Sequence, residues 1–562
     1  MKLIECVPNF SEGRDMKIID QITDVVKEIE EVTLLDADPG DATNRTVVTI
    51  IGTPEGIKEV AFQVIKKASE IIDMSKHKGA HGRMGATDVC PFIPVSEVTM
   101  EDCVRVSEEV GERVGRELGI PVYLYEYSAR TEERKNLANI RAGEYEGLEK
   151  KLRDPHWKPD FGEAKFNPHA GATVMGAREF LIAYNINLNT TDKKLAKEIA
   201  LNIREKGRWK RDENNKIVRD EKGNKVRQPG KFDYCKAVGW YIEEYNQAQV
   251  SMNLTNYKIT PFHLVFDEVC RQADKLGLRV TGSELVGLIP KDAMIAAGKH
   301  YLRKQGKSVG ESESELVRIA IQSMGLEDIS PFDPKKKIIE SYVEDRPDAL
   351  VNMTLAGFAD ELASDSPAPG GGSVAALAGA LSVSLSAMVA NLTYMKKGYK
   401  DVSGEMDELS EKGQIMKKKF LDAIDSDTDA FNRVMKAMKK KAKTPEAEEE
   451  KKKEVEEATK KATLVPFEVL NMAVESLDLA MEAAMKGNKN SVSDAGVAAL
   501  TACASAHGAY YNVMINLPGI EDEKFKTDIT MKANKAIEKA DRKLKEVQVI
   551  VNDALGLTPS VV

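Results

Sequence analysis

The sequence predicts a multidomain protein in which two α/β subdomains, each with the ferredoxin-like βαββαβ order, are followed by an all-α helical domain. Three observations support this fold class. The 562 residues exceed what a single hydrophobic core usually holds, so several folding units are expected. Runs with strand and helix periodicity alternate twice in the N-terminal part of the chain. From about Met353 onward, β-branched runs nearly vanish, and long Ala-, Leu-, Met- and Lys-rich stretches indicate helices.

Residues 1–178 are predicted to form the first α/β subdomain. The strand-like run LIECV precedes an amphipathic helix that Ser11 can cap. The β-branched runs VTLLD and TNRTVVTIIG follow as two strands, separated by the turn-rich ADPGDA. Pro54 opens a second helix, and a further helix from about Glu97 to Leu118 precedes the strand IPVYLYEY. Strand, helix, two strands, helix, strand is the order of a split βαβ fold.

Residues 179–330 repeat this order and are predicted to form the second α/β subdomain. The strand-like runs are EFLIAYNINL, AVGWYIEEY, AQVSMNL and LRVTGSELVGLIP. Two helical stretches lie among them, TDKKLAKEIALNIREKG and TPFHLVFDEVCRQADKLG. A polar, turn-rich insertion, GRWKRDENNKIVRDEKGNKVRQPG, is expected to make an exposed hairpin. A linker is predicted at 331–350, and the all-helical domain at 351–562.

Charge and cysteine usage narrow the class of protein. The net charge is −9, and no lysine- or arginine-rich stripe is interleaved with aromatic residues, which argues against nucleic acid as a partner. None of the six cysteines forms a C-x-x-C pair, so we expect neither zinc ribbons nor a disulfide framework. This cysteine usage favours a reducing, cytoplasmic location. The N-terminal residues lack the apolar stretch of a signal peptide.

One segment is apolar enough to raise the question of a membrane span. The 30 residues between Asp365 and Lys396 carry no charge, and a spanning helix needs about 20 mostly apolar residues. Several serines and an asparagine interrupt the segment, which is also rich in Ala and Gly. Because small residues let helices approach closely, this composition favours a buried helix, and no membrane partner is predicted.

The stretch HKGAHGRMGATDVCPF contains two of the chain's seven histidines, four residues apart. Histidines at this spacing on one helix face can bind zinc, but the interspersed glycines disfavour a helix. A phosphate-binding loop would lead into a helix, whereas TDVCPFIP is strand-like. A third interpretation is a glycine loop held against a ligand while one histidine transfers a proton, since histidine titrates at about pH 6.5. A structural turn histidine is the fourth.

Two other glycine-rich segments could contact a ligand. FGEAKFNPHAGATVMGAREF lies where the two α/β subdomains join, a common position for a cleft, although an ordinary linker is an equal alternative. SPAPGGGSVAALAGAL opens the helical domain, where Ser373 can act as N-cap. Glycines 370–372 would then present free N–H groups at a positive helix end, which suits an anion or a developing negative charge. The segment is not a Walker loop, because no G-K-[ST] sequence closes it.

Four aspartates crowd the predicted helix LDAIDSDTDAFNRVMKAMKKK. Asp427 falls on an apolar stripe, whereas Asp425 lies about 200° around the helix and, with Asp422 and Asp429, is interpreted as surface charge. A carboxylate on a core-facing stripe is costly unless it is paired or functional, and burial would raise its pKa toward that of a working acid. The stripe comprises Leu409, Met416, Phe420, Ala423, Phe431, Val434 and Met438.

Longer motifs occur along the chain: ECVPNFSEG, DMSKHKGAHGRMGATDVCPFIPV, RAGEYE, INLNTT, PAPGGGSVAAL and GAYYNVMINL. Together they resemble the formiminotransferase–cyclodeaminase family over nearly the whole chain and in the same domain order. The resemblance implies a transferase of two α/β subdomains followed by a helical cyclodeaminase. It implies transfer of a formimino group from N-formimino-L-glutamate to N5 of tetrahydrofolate, then cyclisation to 5,10-methenyltetrahydrofolate with release of ammonia.

The resemblance also implies roles for individual residues. The family's proton-transferring histidine matches His81, while Asp38 could orient its imidazole and Arg83 could hold a substrate carboxylate. The cyclodeaminase aspartate matches Asp427. The folate-binding loop matches Gly162, Glu163, Ala164, Lys165, Phe166, Asn167, Pro168, His169, Ala170 and Gly171, where this chain departs from the family at Lys165 and His169. The helix start at Gly370, Gly371 and Gly372 is our own candidate for positioning the folate.

Tetrahydrofolate, with or without a polyglutamate tail, is the expected co-substrate. No metal is expected. The chain is expected to form a homo-oligomer. Two other functions stay open at this point. One is a folate-binding protein whose transferase activity has lapsed, against which the intact His81 and Asp427 argue. The other is a transferase that moves a formyl group on the same scaffold.

Overall fold

The structure, a computed structural model, describes residues 2–41, 43–79, 81–344, 349–442 and 444–557. The chain divides into two compact units, Met1–Ala297 with Ala320–Glu344, and Gly298–Ile319 with Asp345–Val562. The strands that the structure describes all belong to the first unit, and the second is helical. The prediction of a mixed α/β N-terminal part and a large helical C-terminal part is therefore confirmed. Within the predicted linker, residues 345–348 lie outside the described residues.

A seven-stranded mixed sheet forms the N-terminal part of the first unit. Its strands are β1 Leu3–Cys6, β2 Asn9–Phe10, β3 Val32–Gly40, β4 Arg45–Gly52, β5 Thr87–Ser96, β6 Val122–Leu124 and β7 Thr173–Ala177. They run in the order β1-β4-β2-β5-β7-β6, with β3 pairing to β4 and β1 also pairing to β5. Strand β7 is parallel to β5 and β6, and the other pairs are antiparallel.

Five α-helices accompany this sheet: α1 Met16–Lys27, α2 Pro54–Ile71, α3 Met100–Leu118, α4 Leu137–Ile140 and α5 Glu144–Leu152. Side chains cap the first turns of α1 to α4, as in the capping box that Thr99 and Asp102 form on α3. The prediction that Ser11 caps α1 is wrong, because the Asp15 side chain accepts the hydrogen bond from the Lys17 N–H. The Ser11 hydroxyl instead donates to the Gly85 carbonyl oxygen at 2.7 Å and ties the N-terminal strands to the glycine-rich segment.

Helices α1 to α3 pack on one face of the sheet. Their core includes Ile4, Ile50 and Phe92, all fully buried. Because side chains alternate along a strand, Glu5 and Asn9 point to the opposite face. The sheet therefore has an apolar, helix-covered face and a face with polar groups.

A four-stranded sheet follows, with β8 Ile182–Leu188, β11 Cys235–Ile242, β12 Gln247–Leu254 and β13 Val280–Val286 in the antiparallel order β11-β12-β8-β13. The predicted polar insertion contains the short hairpin strands β9 Arg208–Trp209 and β10 Arg227–Gln228. The helices of this region are α6 Lys193–Ile203, α7 Phe262–Lys275, α8 Lys291–Lys304, α9 Glu313–Met324, α10 Pro334–Lys337 and α11 Ser341–Glu344.

The helical unit contains the parts of α8 and α9 within Gly298–Ile319, together with α12 Leu355–Leu362, α13 Gly371–Thr393, α14 Ser403–Lys439, α15 Pro445–Lys486, α16 Val492–Asn516 and α17 Glu523–Leu555. Small side chains let these helices approach closely. A Cβ at Gly379 would lie 2.3 Å from the Phe420 ring, so only glycine fits where α14 crosses α13. Fully buried alanines, including Ala376, Ala499 and Ala502, fill much of the core.

Among the described residues, α13 is long and apolar enough by composition to cross a membrane. Of its most apolar stretch, 61% is buried within the protein. Two of its serines bond to neighbouring helices: the Ser382 hydroxyl donates to the Ala498 carbonyl oxygen at 2.8 Å, and the Ser373 hydroxyl donates to the Ile424 carbonyl oxygen at 2.8 Å. Core helices of soluble proteins share these features, so length and composition alone give weak evidence for a span.

Candidate active sites

A buried ion cluster lies at the polar face of the first sheet. Asp88 on β5 is fully buried and pairs with Arg45 on β4 and with Arg141, whose Nη2 lies 2.5 Å from Asp88 Oδ2. The Met84 N–H donates to the other carboxylate oxygen at 2.9 Å. Burial alone would raise the pKa of Asp88, but the two arginines outweigh burial and hold that pKa below its ordinary value. The cluster therefore keeps two fixed positive charges around one carboxylate.

His81 lies beside this cluster. Its Nδ1 is 2.7 Å from the Gly82 carbonyl oxygen, so Nδ1 carries the proton and donates it there. Nε2 is then an acceptor, and it has no hydrogen-bond partner among the described residues. Burial, with the charges of Arg45 and Arg141, lowers the pKa of His81 to about 4. The imidazole is therefore neutral at pH 7 and can take a proton from a bound molecule through Nε2.

Arg83 occupies a different network from the one predicted for it. Its two terminal nitrogens bond to both oxygens of Glu146 at 2.9 and 2.8 Å, and its Nε donates to His77 Nδ1 at 3.1 Å. The guanidinium is only 6% exposed. Gripping a substrate carboxylate, the role suggested from the sequence, would require the Glu146 pair to open. His77 donates from Nε2 to the Asn44 carbonyl oxygen at 2.8 Å, and so helps to hold the loop.

Neither Arg45 nor Arg141 is predicted as a functional residue from the sequence, although the motif RAGEYE begins with Arg141. The Nε of Arg141 is buried without a hydrogen-bond partner among the described residues. A guanidinium with one nitrogen on Asp88 and another unsatisfied can still bind an anion. In the sequence, Asp88 is 43 residues from Arg45 and 53 residues from Arg141, so only folding brings the three side chains together.

Asp38 lies on β3 opposite Val47, and no hydrogen bond among the described residues joins it to His81. Burial raises its pKa first, and the neighbouring Asp36 raises it further, while Lys337 lowers it. The Gly82 carbonyl oxygen holds the imidazole where Asp38 was suggested to do so. Asp38 therefore remains a half-buried carboxylate close to residues of β13, including Glu284.

The loop from 162 to 171 is held at both ends by close backbone contacts. A Cβ at Gly171 would lie 2.2 Å from the Met84 carbonyl oxygen, and one at Gly162 would lie 2.8 Å from the Ile120 carbonyl oxygen. Both glycines also have positive φ, 69° and 79°. The Asn167 side chain accepts from the backbone N–H groups of the two residues before Gly171, which shapes the turn. Gly171 also bridges to Gly85, so the loop ends beside the histidine segment.

The exposed middle of this loop is available to a ligand. Residues 162–165 and 168–169 are exposed, whereas Ala170 is buried. Phe166 packs against Tyr145 with ring centroids 5.5 Å apart, and the Tyr145 hydroxyl donates to the Pro168 carbonyl oxygen at 2.6 Å. The loop is thus a defined surface that leaves its polar side chains in solvent.

In the helical unit, Asp427 on α14 lies against the N-terminus of α13. A Cβ at Gly372 would lie 2.1 Å from Asp427 Oδ1, so the carboxylate occupies the space that any side chain at position 372 would fill. The Ser373 N–H donates to that carboxylate. Burial nevertheless raises the pKa of Asp427 above its ordinary value. The sequence thus brings a half-buried acid and a glycine helix start to one place.

Two further side chains complete this second site. The N-cap of α13 is Gly370, which corrects the prediction of Ser373 as cap. The Ser373 hydroxyl instead donates to the Ile424 carbonyl oxygen at 2.8 Å and fastens α13 to α14. Asn512 of α16 lies 3.1 Å from where a Cβ at Gly371 would be, so its amide borders the same helix start. The signal for Asn512 in the sequence was the motif GAYYNVMINL, which carries no charge.

The helix face around Asp427 differs in part from the predicted stripe. Ile424, rather than Ala423, is fully buried, and Met438 is 50% exposed because α14 ends at Lys439. Asp425 was interpreted as surface charge, which is wrong: it is half-buried and accepts a hydrogen bond from the Leu350 N–H at 2.7 Å. Asp427 stays on the buried line, one turn from Ile424.

Three family models match consecutive parts of the chain. The N-terminal subdomain of the formiminotransferase domain matches residues 3–178, the formiminotransferase domain matches 183–344, and formiminotransferase-cyclodeaminase matches 354–535. Each match falls on a part of the chain that the motifs above also cover.

Relatives of known name extend this result. The formimidoyltransferase-cyclodeaminase of Gallus gallus is 44% identical over 544 residues, which cover 96% of this chain and 97% of that protein. Its counterpart in Dictyostelium discoideum is 42% identical over 555 residues, covering 98% and 99%. The glutamate formimidoyltransferase of Streptococcus pyogenes serotype M1 is 43% identical over 302 residues, which are 54% of this chain and 94% of that protein. With its sheet-containing and helical parts both matched, the chain belongs to the formiminotransferase-cyclodeaminase family.

Proposed function

We propose that this chain is a bifunctional enzyme of histidine breakdown and one-carbon folate metabolism. Its first activity transfers the formimino group from N-formimino-L-glutamate to N5 of tetrahydrofolate. Its second cyclises 5-formiminotetrahydrofolate to 5,10-methenyltetrahydrofolate and releases ammonia. The observation that carries the proposal is that relatives named for both activities match 96% and 98% of the chain. Each part of the chain also holds a perturbed proton-transfer group, His81 in one and Asp427 in the other.

The transfer step uses Nε2 of His81. As N5 of tetrahydrofolate attacks the formimino carbon, a new C–N bond forms and Nε2 accepts the N5 proton. The bond from that carbon to the glutamate nitrogen then breaks, and Nε2 returns the proton to this nitrogen. Glutamate leaves neutral at that nitrogen, and His81 is regenerated. A pKa of about 4 keeps the imidazole unprotonated before the first step, so it begins as a base.

Arg141 is the best-placed side chain to hold a substrate carboxylate near His81. Its Nε is free of hydrogen bonds to the described residues, and its charge also helps to keep His81 neutral. Arg45 pairs with Asp88, and its Nε and Nη2 donate to the Asn9 amide oxygen at 3.1 and 2.9 Å, so its position is fixed. Arg83 then supports the loop rather than the substrate. Tetrahydrofolate would lie along the exposed residues of the 162–171 loop.

The cyclisation step uses the carboxyl group of Asp427. With the formimino group in its amidinium form, N10 attacks the formimino carbon and loses one proton. Asp427 accepts this proton and hands it to the amino group, which departs as ammonia and leaves the methenyl cation. A raised pKa suits a carboxyl group that must both take and return a proton. The α13 N-terminus and Asn512 would position the folate, and we propose no metal for either step.

The two sheets also support a finer description of the transferase part. The strand order β3-β4-β1-β5 in the first sheet and β11-β12-β8-β13 in the second fit two ferredoxin-like subdomains, at 1–178 and 179–330. A linker at 331–350 and a cyclodeaminase domain at 351–562 complete this assignment. The first sheet carries β2, β6 and β7 in addition to the four ferredoxin-like strands.

The enzyme is proposed to act as a cytoplasmic homo-oligomer. An exposed apolar stripe on α13 supports this proposal, with its residues seven apart at Val374, Leu381 and Met388, which are 38%, 52% and 38% exposed. On α16, Ile515 is 75% exposed. Apolar rows of this kind on helices commonly pack against a partner. The six cysteines all lie among the described residues and none is in a disulfide, as a reducing compartment would keep them.

Turnover of defined substrates tests the proposed function. Purified protein given N-formimino-L-glutamate and tetrahydrofolate under anaerobic, reducing conditions should produce equal molar amounts of glutamate, 5,10-methenyltetrahydrofolate and ammonia. The methenyltetrahydrofolate is followed by its absorbance. A formyl transferase would yield neither ammonia nor a formimino intermediate. A binding protein with a lapsed transferase would retain tetrahydrofolate without releasing glutamate. Either of these results would overturn the proposal.

The acid side of the pH profile of kcat/KM for transfer should reflect the pKa of His81. Because its folded pKa of about 4 lies below the ordinary 6.5, the neutral base persists well below pH 6.5. We therefore expect kcat/KM for transfer to stay flat from pH 7.5 down to about pH 5, at folate concentrations that are corrected for substrate ionisation. The same group contributes stability that is present above pH 6.5 and lost as the pH falls through the folded pKa.

Arg141→Gln provides the control for this pH profile. Removing a positive charge beside His81 should move its pKa upward, so the acid limb should shift to higher pH even though substrate binding also weakens. A wild-type limb already centred at the ordinary histidine pKa, or an unmoved limb in the variant, would contradict the assignment of His81 as the base.

A further inference from the structure

We propose that Cys503, His507 and Asp541 bind one zinc ion, which joins α16 to α17 in the helical unit. The three side chains each offer a ligand atom, and these atoms lie within 4.8 Å of one another. Cys503 and His507 are one helical turn apart on α16, and Asp541 faces them from α17. The proposed site is independent of the two activities above.

The geometry of the cluster is close to that of a tetrahedral metal site. His507 Nε2 lies 2.8 Å from Asp541 Oδ1, and Cys503 Sγ lies 3.8 Å from the same oxygen. Zinc bonds of about 2.0 Å to N and O and about 2.3 Å to S place such ligand atoms about 3.3 to 3.5 Å apart. Changes of about 0.5 Å in the N–O distance and about 0.3 Å in the S–O distance would therefore bring both pairs to the spacing that a zinc ion requires.

The chemistry of the three ligands favours zinc over harder cations. A thiolate and an imidazole are soft or borderline ligands, whereas Mg²⁺ and Ca²⁺ prefer oxygen ligands. Cys503 is 7% exposed, while the His507 and Asp541 side chains are 38% and 49% exposed, so solvent reaches one side of the cluster. Three protein ligands with water in the fourth position satisfy a tetrahedral ion.

Two other interpretations fit the contacts less well. In a thiol nucleophile, the imidazole bonds to the sulfur, whereas here both Cys503 and His507 contact the carboxylate between them. A simple His507–Asp541 ion pair would leave the buried thiol without a role and would be worth little at this exposure. A metal uses all three groups.

The site lies on a different face of α16 from the candidate active site. Ser505 and Gly508 face α13, since the Ser505 hydroxyl donates to the Ala375 carbonyl oxygen at 2.7 Å and Gly508 packs on Ala375. Cys503 and His507 face α17. Bound zinc would therefore fasten the outer helix α17 to a helix whose other face packs on α13, the helix whose N-terminus contacts Asp427. We expect it to affect stability before catalysis.

Cobalt titration of the full-length protein tests the site. Metal-free protein, reduced with a phosphine that does not compete for the ion, should bind one Co²⁺ per chain. Binding should give a thiolate-to-cobalt charge-transfer band and the intense visible bands of tetrahedral Co²⁺, and added Zn²⁺ should displace both. Zinc should also raise the thermal midpoint, since it binds the folded state.

Variants assign the signal to the three ligands. Cys503→Ser should abolish the charge-transfer band, and His507→Gln and Asp541→Asn should each weaken metal affinity by at least about tenfold. Cys270→Ser, which changes a half-buried cysteine on α7, should leave the band unchanged. Circular dichroism of each metal-free variant establishes that it is folded. Absence of a stoichiometric band in the wild type, or its survival in Cys503→Ser, would overturn the proposal.

Discussion

Replacing His81 by alanine is expected to lower kcat/KM for formimino transfer by about 10²- to 10⁴-fold, the range that a positioned general acid–base supplies. The Nδ1 proton of His81 is held by the Gly82 carbonyl oxygen, so Nε2 alone exchanges protons with the substrates. Alanine removes this relay and leaves the Arg45–Asp88–Arg141 cluster in place. Turnover should therefore fall far more than substrate affinity.

The same variant should still cyclise supplied 5-formiminotetrahydrofolate at the normal rate, because Asp427 belongs to the other compact unit. The measurement is a pair of assays on one preparation, glutamate release for transfer and ammonia release for cyclisation. Loss of both activities in a protein that remains folded would show that the two sites are not separate.

Two other histidines provide controls for His81→Ala. The His156 side chain is 65% exposed and bonds to Glu133, so His156→Ala should leave both rates unchanged. His77→Ala removes an acceptor from Arg83 and a donor to Asn44, and should lower the thermal midpoint while kcat is largely kept. If His77→Ala reduced kcat as much as His81→Ala, the division between a reacting and a supporting histidine would be wrong.

The parts of the fold that local sequence determines were predictable. Strand and helix periods located α6, β11, β12, α7 and β13 in their observed order, since each follows from alternation within one segment. Cap positions were less predictable, because several residues before a helix can accept the same N–H group. Asp15 rather than Ser11 caps α1, and Gly370 rather than Ser373 caps α13. Both serine hydroxyls instead bond to distant carbonyl oxygens.

In the candidate sites, too, features that depend on one segment were predictable and features that join distant segments were not. Asp427 was predictable because its place on the apolar stripe follows from the period of one helix, and the glycines that it contacts form an obvious motif. The Arg45–Asp88–Arg141 cluster was not, because three separate segments contribute one charge each. For the same reason, the sequence suggests that Arg83 holds a substrate carboxylate, because its partner Glu146 lies 63 residues away in the sequence. Long-range charge pairing cannot be inferred from local pattern.

Replacing Asp427 by asparagine is expected to reduce cyclisation by about 10²- to 10⁴-fold while transfer continues at its normal rate. Asparagine keeps the shape of the side chain, and its amide oxygen can still accept from the Ser373 N–H. It cannot carry the N10 proton to the departing nitrogen. Given both substrates, the variant should therefore accumulate 5-formiminotetrahydrofolate, which chromatography would detect as glutamate is released without ammonia.

Although Asp427→Asn should lower the cyclisation rate, it should not lower the stability of the protein. Burial raises the pKa of Asp427, so the folded protein holds a proton there more tightly than the unfolded chain does. Its contribution to stability is full below the unfolded pKa of 3.8 and is lost as the pH rises through the higher folded pKa. At pH 7, an ionised Asp427 thus costs free energy that neutral asparagine does not. The thermal midpoint of Asp427→Asn should equal or exceed that of the wild type, and the difference should disappear in acid.

Asp425→Asn is the matched control, because it makes the same change two residues away on the same helix. Asp425 is half-buried, but its carboxylate accepts from the Leu350 N–H at 2.7 Å instead of facing the α13 N-terminus. A weaker acceptor should cost about 1 kcal/mol of stability and leave cyclisation unchanged. Asp427→Asn should therefore lower the cyclisation rate and keep the stability, whereas Asp425→Asn should lower the stability and keep the cyclisation rate. If both lost stability and neither lost rate, Asp427 would be a structural carboxylate, and the acid for ammonia release would have to lie elsewhere.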